Sequence, residues 1–247
     1  MHFLRTIRAA TAVTLLLAAS AWAQTLTVVT EEYPPYNFQD GNTKQISGMA
    51  TEVVQEVLKR AKLDYKLDMY PWARAYQMAQ DAPNVLIYSI GRSDKRESLF
   101  KWVDVIAPYD VYLYRLKSRP DVKAADIAAI KHFKIGAVRD DVRAQYLEKA
   151  GITLDLVAED GSNAKKLASQ RIDMFPIDEL AMVALNKREG IDPASVVKVM
   201  RLDALSAGLY MAFSKQTSDE LVHRCQAVLA QIKKDGTFEK IRVKYLK

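Results

Sequence analysis

A single cysteine, Cys225, stands in a chain of 247 residues. An internal disulfide is therefore excluded, and stability has to come from packing. Cys225 falls on the helical stripe Leu221, Cys225, Val228, Leu229 and Ile232, which marks it as a core filler rather than a nucleophile. Histidine is almost as scarce. Apart from His2, only His132 and His223 occur, far apart and in no ligand spacing, so a zinc site is not expected. Also missing are a Gly-rich phosphate loop, a Gly-x-Ser-x-Gly elbow and a His-Glu-x-x-His helix, the commonest motifs of nucleotide and hydrolase chemistry. No cofactor is implied. With 9 glycines, 8 prolines, 49% apolar and 27% charged residues, the composition is that of a globule, not of a disordered or fibrous chain.

Long apolar runs are absent beyond the first segment. Arg5 and Arg8 precede an uncharged run from Ala9 to Ala19, and Ala21-Trp22-Ala23 follows before Gln24. A positive end, an apolar middle and small residues flanking Trp22 read as an export signal cleaved after Ala23. The run, nearer ~13 residues than the roughly 20 of a spanning helix, does not suit a membrane anchor. The expected mature chain is soluble and exported. The 36 lysines and arginines exceed the 30 acids by 6; without Arg5 and Arg8 the balance is 34 against 30, or +4. These cations are scattered along helices rather than gathered in blocks, so no nucleic-acid partner is expected.

What is present is a strand and helix alternation. Leu26 to Thr30 reads as a buried strand, followed by the turn Tyr33-Pro34-Pro35-Tyr36 and a loop at Gly41. A helix begins near Gly48, with Met49, Val53, Val54, Val57, Leu58 and Ala61 on one face. Tyr65, Leu67 and Met69 alternate with Lys66 and Asp68; Pro71 opens a helix carrying Trp72, Arg74, Tyr76 and Gln77; residues 85–89 form another apolar strand. After an extended 109–116 and a break at Pro120, the plan repeats: strand 134–138, a helix ending at Gly151, strand 154–157, a helix with Ala164, Leu167 and Ala168, and strand 172–177 ending in Asp178. Two amphipathic helices close the chain, at about 218–234 and around Phe238, Ile241 and Tyr245. This order predicts two α/β lobes, each with a mostly parallel sheet. Ligands of such sheets lie beyond the carboxyl ends of the strands, where 89–96, 139–143 and Asp178 fall.

Four segments, in order, resemble the periplasmic solute-binding proteins of the polar amino acid type, the soluble receptors of ABC importers. They are Tyr33-Pro34-Pro35-Tyr36-Asn37-Phe38 with Gly48 downstream; 89–100; Arg171-Ile172-Asp173 through Asp178; and Lys234-Asp235-Gly236-Thr237-Phe238 with Lys244-Tyr245-Leu246. The resemblance spans nearly all of the mature chain. It implies the two-lobed type II binding-protein fold, with lobe 1 at 24–112 and 208–247 and lobe 2 at 113–207. Crossing strands are implied near 111–117 and 204–213, with the terminal helices packed back on lobe 1. The ligand would lie in the cleft and draw the lobes together by a hinge motion.

By the same resemblance Arg96 is the fork for a ligand α-carboxylate, with Arg92 competing for that position, and Asp178 is the partner of the ligand ammonium. Asp178 is equally suited to cap the helix that starts at Glu179. Trp72 matches an aromatic shelf, Tyr33 and Tyr36 an opposite wall, and Ser89 and the backbone at Gly91 neutral donors to the carboxylate. One segment departs from the family. Arg139-Asp140-Asp141-Val142-Arg143 stands where relatives carry a Gly-Ser/Thr turn that binds the carboxylate. Asp140 or Asp141 can cap the helix there and fill the anion site from within, which argues against plain α-amino-acid binding. Relatives selecting basic side chains place an acid at the position of Thr30, beside Glu31 and Glu32; basic ligands thus stay open but are not favoured. The implied function is capture of a small polar solute, an amino acid or derivative, in the periplasm by a monomer that hands it to a membrane ABC permease. Two other readings exist: an enzyme on the same scaffold, resembling cyclohexadienyl dehydratases with Glu31, Glu32 or Asp178 as acid or base, and a ligand-sensing receptor.

Overall fold

Strand β1 (Leu26–Thr30) is buried at Leu26, Val28, Val29 and Thr30 because it is enclosed on both sides by parallel neighbours, which is why it reads as a continuous apolar run. The structure, a computed structural model, describes residues 25–246; the export signal and its cleavage after Ala23 lie outside the described residues. After β1 a short ribbon, β2 (Phe38–Gln39) and β3 (Ile46–Ser47), leads into helix α1 (Met49–Arg60). The start of α1 is fixed by the aromatic turn. The carbonyl of Pro35 accepts from Met49 N and that of Tyr36 from Ala50 N and Thr51 N, so the turn satisfies donors that a helix N-terminus leaves open. Gly48 makes this approach possible: its φ is 123°, and a Cβ there would lie 2.4 Å from the Tyr36 carbonyl oxygen.

The chain continues through β4 (Tyr65–Met69), α2 (Trp72–Asp81), β5 (Val85–Gly91), a single turn α3 (Asp94–Glu97) and β6 (Phe100–Ala107). It then enters a second set of elements: β7 (Val111–Leu116), β8 (Ile135–Val138), α4 (Val142–Lys149), β9 (Leu154–Val157), α5 (Asp160–Ala168), β10 (Phe175–Asp178), α6 (Glu179–Arg188) and β11 (Val196–Arg201). Finally β12 (Leu209–Ser214), α7 (Asp219–Lys234) and α8 (Thr237–Tyr245) return to the first set. The first lobe holds a five-stranded sheet of order β4-β1-β5-β12-β6; the second holds β10-β7-β11 and the pair β8-β9, which an isolated bridge from Ile135 to Met174 ties together.

The two-lobed α/β fold is thus present, with two differences in detail from the sequence reading. The β4-β1-β5 core and β8-β9 are parallel, but β12 runs antiparallel to β5 and β6, and β7 antiparallel to β10 and β11. The expected crossing strands are members of these sheets, so the chain passes between lobes in the short pieces 108–110 and 202–208 instead. Those pieces hold each other: Val111 N donates to Ser206 Oγ at 3.0 Å, Leu202 N to the Val111 carbonyl, and Arg201 pairs with Asp110. The terminal helices pack on α1. Lys244 and Tyr245 meet Glu52, and Arg60 pairs with Asp235. Cys225 is buried in α7, and burial pushes its thiol up to about 12. No helix among the described residues is long and apolar enough to cross a membrane.

Gly48→Ala is expected to lower stability by at least about 2 kcal/mol, because it combines an unfavourable φ with a backbone clash. Urea denaturation measures it; an unshifted midpoint would contradict the role given to Gly48.

Candidate functional site

The strand ends of both lobes meet in one layer. From the first lobe come Glu31 after β1, Tyr70 to Trp72 after β4, Ser89 to Gly91 at the end of β5, and Arg96 in α3. The second lobe contributes Asp140 to Arg143 after β8, Asp160 after β9 and Asp178 at the end of β10. Ser89 has φ 58°, and the β5-β12 register slips beside it, so this residue is bulged out of the ladder. Its hydroxyl donates to Asn37 Oδ1, which links β5 to the aromatic turn.

Arg96 is fully buried. Its Nη1 donates to the Gly91 carbonyl at 2.9 Å, its Nη2 to the Asp140 carbonyl at 2.7 Å and its Nε to Gln145 Oε1 at 3.2 Å. The guanidinium lies over Tyr76 at 4.8 Å and Trp72 at 5.3 Å. The Trp72 indole also donates to the Asp140 carbonyl, at 3.0 Å. Asp140 has φ 59°, a turn conformation that aims this carbonyl across to the first lobe. The lobes are close enough here that a Cβ on Gly91 would lie 2.7 Å from Val142. Burial lowers the Arg96 pKa, against the attraction of Asp141.

Asp141 rather than Asp140 caps α4, accepting from Arg143 N at 2.8 Å. Its carboxylate also takes Arg143 Nε at 2.6 Å, while the Arg143 Nη atoms reach Asp160 at 2.8 and 3.3 Å and the Pro176 carbonyl at 3.1 Å. Arg143 lies over the ring of Tyr33 at 5.4 Å. Burial opposes all three charges. For Arg143 the two carboxylates outweigh it and hold the guanidinium pKa well above its usual range; Asp141 is held below the usual carboxylate range by Arg143; Asp160 is raised because burial wins there.

Asp178 caps α6, its Oδ1 accepting from Leu180 N at 2.9 Å, Ala181 N at 3.1 Å and Tyr36 Oη at 2.6 Å, while Oδ2 takes Asp110 N at 2.7 Å. Burial raises its pKa against the lowering by the Tyr36 hydrogen bond. Tyr33 stacks on Tyr36 with centroids 5.5 Å apart. Arg96, Asp178, Trp72, Tyr33, Ser89, Gly91 and Arg143 are therefore brought into one interlobe layer.

Arg92 and Arg139 are not in it. Arg92 forms a two-pronged pair with Glu97 and lies over Trp102 and Tyr210, and Arg139 is exposed. Sequence reasoning missed Asp160, Gln145 and Tyr70. Asp160 stands at the carboxyl end of a strand and at the start of a helix, the one local signal that pointed to it.

Between the lobes a cavity of about 210 Å³ remains, walled by Glu31, Glu32, Tyr70 and Trp72 from one side and Ala158 and Glu159 from the other. Glu31 is 5% exposed. Burial, followed by repulsion from Asp141 and Asp160, raises its pKa well above the usual carboxylate range, against the attraction of Arg143 and Arg96.

An α/β clamshell with its polar side chains at the interlobe strand ends defines a binding protein. The chain belongs to the bacterial extracellular solute-binding proteins, family 3, whose family model matches residues 26–247. It is similar to the L-cystine-binding protein TcyA of Bacillus subtilis (strain 168), 25% identical over 222 residues that cover 89% of this chain and 80% of that protein. Among solved structures it resembles a histidine kinase sensor domain with similarity to periplasmic binding proteins (TM-score 0.79, 21% identity, 90% of this chain and 96% of that one). An ancestral arginine-binding protein bound to arginine also matches (TM-score 0.78, 21% identity, 90% and 98%). At these identities the solved structures establish the fold.

Arg143→Met leaves Asp141 and Asp160 buried without their partner and is expected to destabilise the protein by about 3–5 kcal/mol. Chemical denaturation at neutral pH checks this; a loss under 1 kcal/mol would mean that water already screens the pair.

Proposed function

We propose that the chain captures a small polar solute, an amino acid or a derivative of one, in the cleft between its lobes, and delivers it as a periplasmic monomer to a membrane ABC permease. The lobe bounds expected from the sequence, 24–112 with 208–247 for lobe 1 and 113–207 for lobe 2, move in this reading to the passages at 108–110 and 202–208. The carrying observation is the interlobe layer of buried formal charges contributed by both halves of the chain. Charged side chains are seldom buried so completely unless they are paired or serve a ligand; Arg143, Asp141 and Asp160 pair within lobe 2, while Arg96 of lobe 1 finds its partners at Asp140 and Gln145 only when the lobes approach. The family membership and the names of its relatives, a cystine-binding protein and an arginine-bound structure, support the same reading. Such a protein needs no chemistry. Micromolar affinity corresponds to about −8 kcal/mol, within reach of a few desolvated charge-assisted contacts plus ring surface after the cost of closing the lobes.

Arg96 acts in this reading through closure, since its donors span the gap to Asp140 and Gln145. Isothermal titration of the exported chain, unfolded and refolded to release any carried ligand, across a panel of amino acids and their derivatives is expected to give saturable 1:1 binding of at least one compound. Arg96→Ala is expected to weaken the best binder at least tenfold. No binder in the panel would remove the reading; full affinity in the variant would remove Arg96 from it.

A further inference from the structure

The groups that would recognise a ligand carboxylate are already matched by acceptors of the protein itself. Each of the three Arg96 nitrogens donates to a protein oxygen, and Arg143 is held by two carboxylates and a carbonyl. The amide of Arg143 at the start of α4 donates to Asp141, and those of Leu180 and Ala181 at the start of α6 donate to Asp178. Arg143 also covers the face of Tyr33 that a guest would stack on.

The cavity beside this network has the opposite character. Three glutamates line it, and no lysine or arginine does. Glu32 is paired with Arg188 and accepts from Gln39 N, and Glu159 is exposed. Glu31 differs from both. Although it is 95% removed from solvent, by its 5% exposure, its carboxylate has no hydrogen-bond or ion-pair partner among the described residues, and it lines the cavity. A buried carboxylate left without a partner is costly, and a cation placed against it removes that cost. The rings of Tyr70 and Trp72 complete the wall; each already has a guanidinium over it, Arg74 at 4.5 Å and Arg96 at 5.3 Å, so the ring surface facing the cavity serves the guest's alkyl chain and Glu31 serves its charge. At about 210 Å³ the space lies below the roughly 300 Å³ at which pockets for drug-sized ligands begin, so the guest is small.

We propose that this cavity takes a small organic cation, an amine or guanidine lacking an α-carboxylate, with Glu31 as its counter-ion. The inference rests on the reading that the cleft binds a solute, and it selects the decarboxylated derivatives over the parent amino acids. It also takes up the basic ligand groups that the sequence left open without favouring, because Glu31, not the aligned Thr30, supplies the acid.

The test is isothermal titration of the whole exported chain with matched pairs that differ only by the carboxylate: 1,5-diaminopentane against lysine, and agmatine against arginine. The expected result is that an amine binds at least tenfold tighter than its parent amino acid. Glu31→Gln should weaken the amine at least tenfold while leaving the melting temperature unchanged or higher, since it removes an unpaired buried charge. That combination separates a ligand contact from a structural one. An amino acid binding tighter than its amine would overturn the inference and leave solute binding intact. Amine binding unaffected in Glu31→Gln would overturn the assignment of the counter-ion. Failure of all four compounds would overturn the inference, and the wider panel would then decide whether solute binding stands.

Discussion

The backbone carbonyl of Asp140 is the contact on which the site depends. A left-handed turn aims it out of the second lobe, and Trp72, Arg96 and Gln145 all donate to it. Two of those donors belong to the first lobe. The contact draws Gly91 against Val142 and thereby closes the layer in which Arg96, Arg143, Asp141 and Asp160 lie out of water. In the proposed reading it also decides the ligand chemistry, because the arginine that the family resemblance assigns to a guest's carboxylate donates to the protein's own backbone.

The magnitudes argue that the charge network is there for position more than for stability. Attraction between unit charges at 4 Å is about 4 kcal/mol at an effective dielectric of 20, while desolvation costs several kcal/mol for each buried ion. Arg143 gains from two carboxylates and comes out ahead; Asp160 shares that cation with Asp141 and does not, as its raised pKa records. The Glu31 carboxylate receives nothing closer than the fields of Arg143 and Arg96, opposed by two acids, and burial raises its pKa well above the usual carboxylate range. Unsatisfied groups of this kind concentrate at functional sites, which gives the cavity beside Glu31 its weight although a larger cavity of about 670 Å³, lined by Arg92, Lys95, Gln145 and Tyr146, also lies between the lobes.

Much of this was legible in the chain. Strands β1 and β5 announce themselves as short, largely apolar runs, β4 by its alternation, and α1 by its apolar stripe at helical spacing, whereas the two-residue strands β2 and β3 read only as a loop. Gly48, Trp72, Arg96 and Asp178 stand out by residue type at the ends of those elements. Strand β6 did not, since Lys101 and Asp104 interrupt its apolar pattern, and β11 is too half-buried to alternate cleanly. The crossings were misplaced because β7 and β12 read as strands whichever sheet they join. Arg92 and Arg96 are four residues apart and equal in type; the pairing of the exposed Arg92 with Glu97 and the full burial of Arg96 separate them. The bond from Arg143 to Asp160 joins two elements that no local pattern connects, and the role of Asp140 lies in its backbone, which side-chain identity does not reveal.

The most direct measurement is a crystal structure of the exported chain with the tightest binder from a panel of amines and amino acids. The account predicts that Arg96 and Trp72 still donate to the Asp140 carbonyl and that a nitrogen of the guest lies within hydrogen-bond distance of the Glu31 carboxylate. Arg96 released from Asp140 and forked onto a carboxylate of the guest would contradict it.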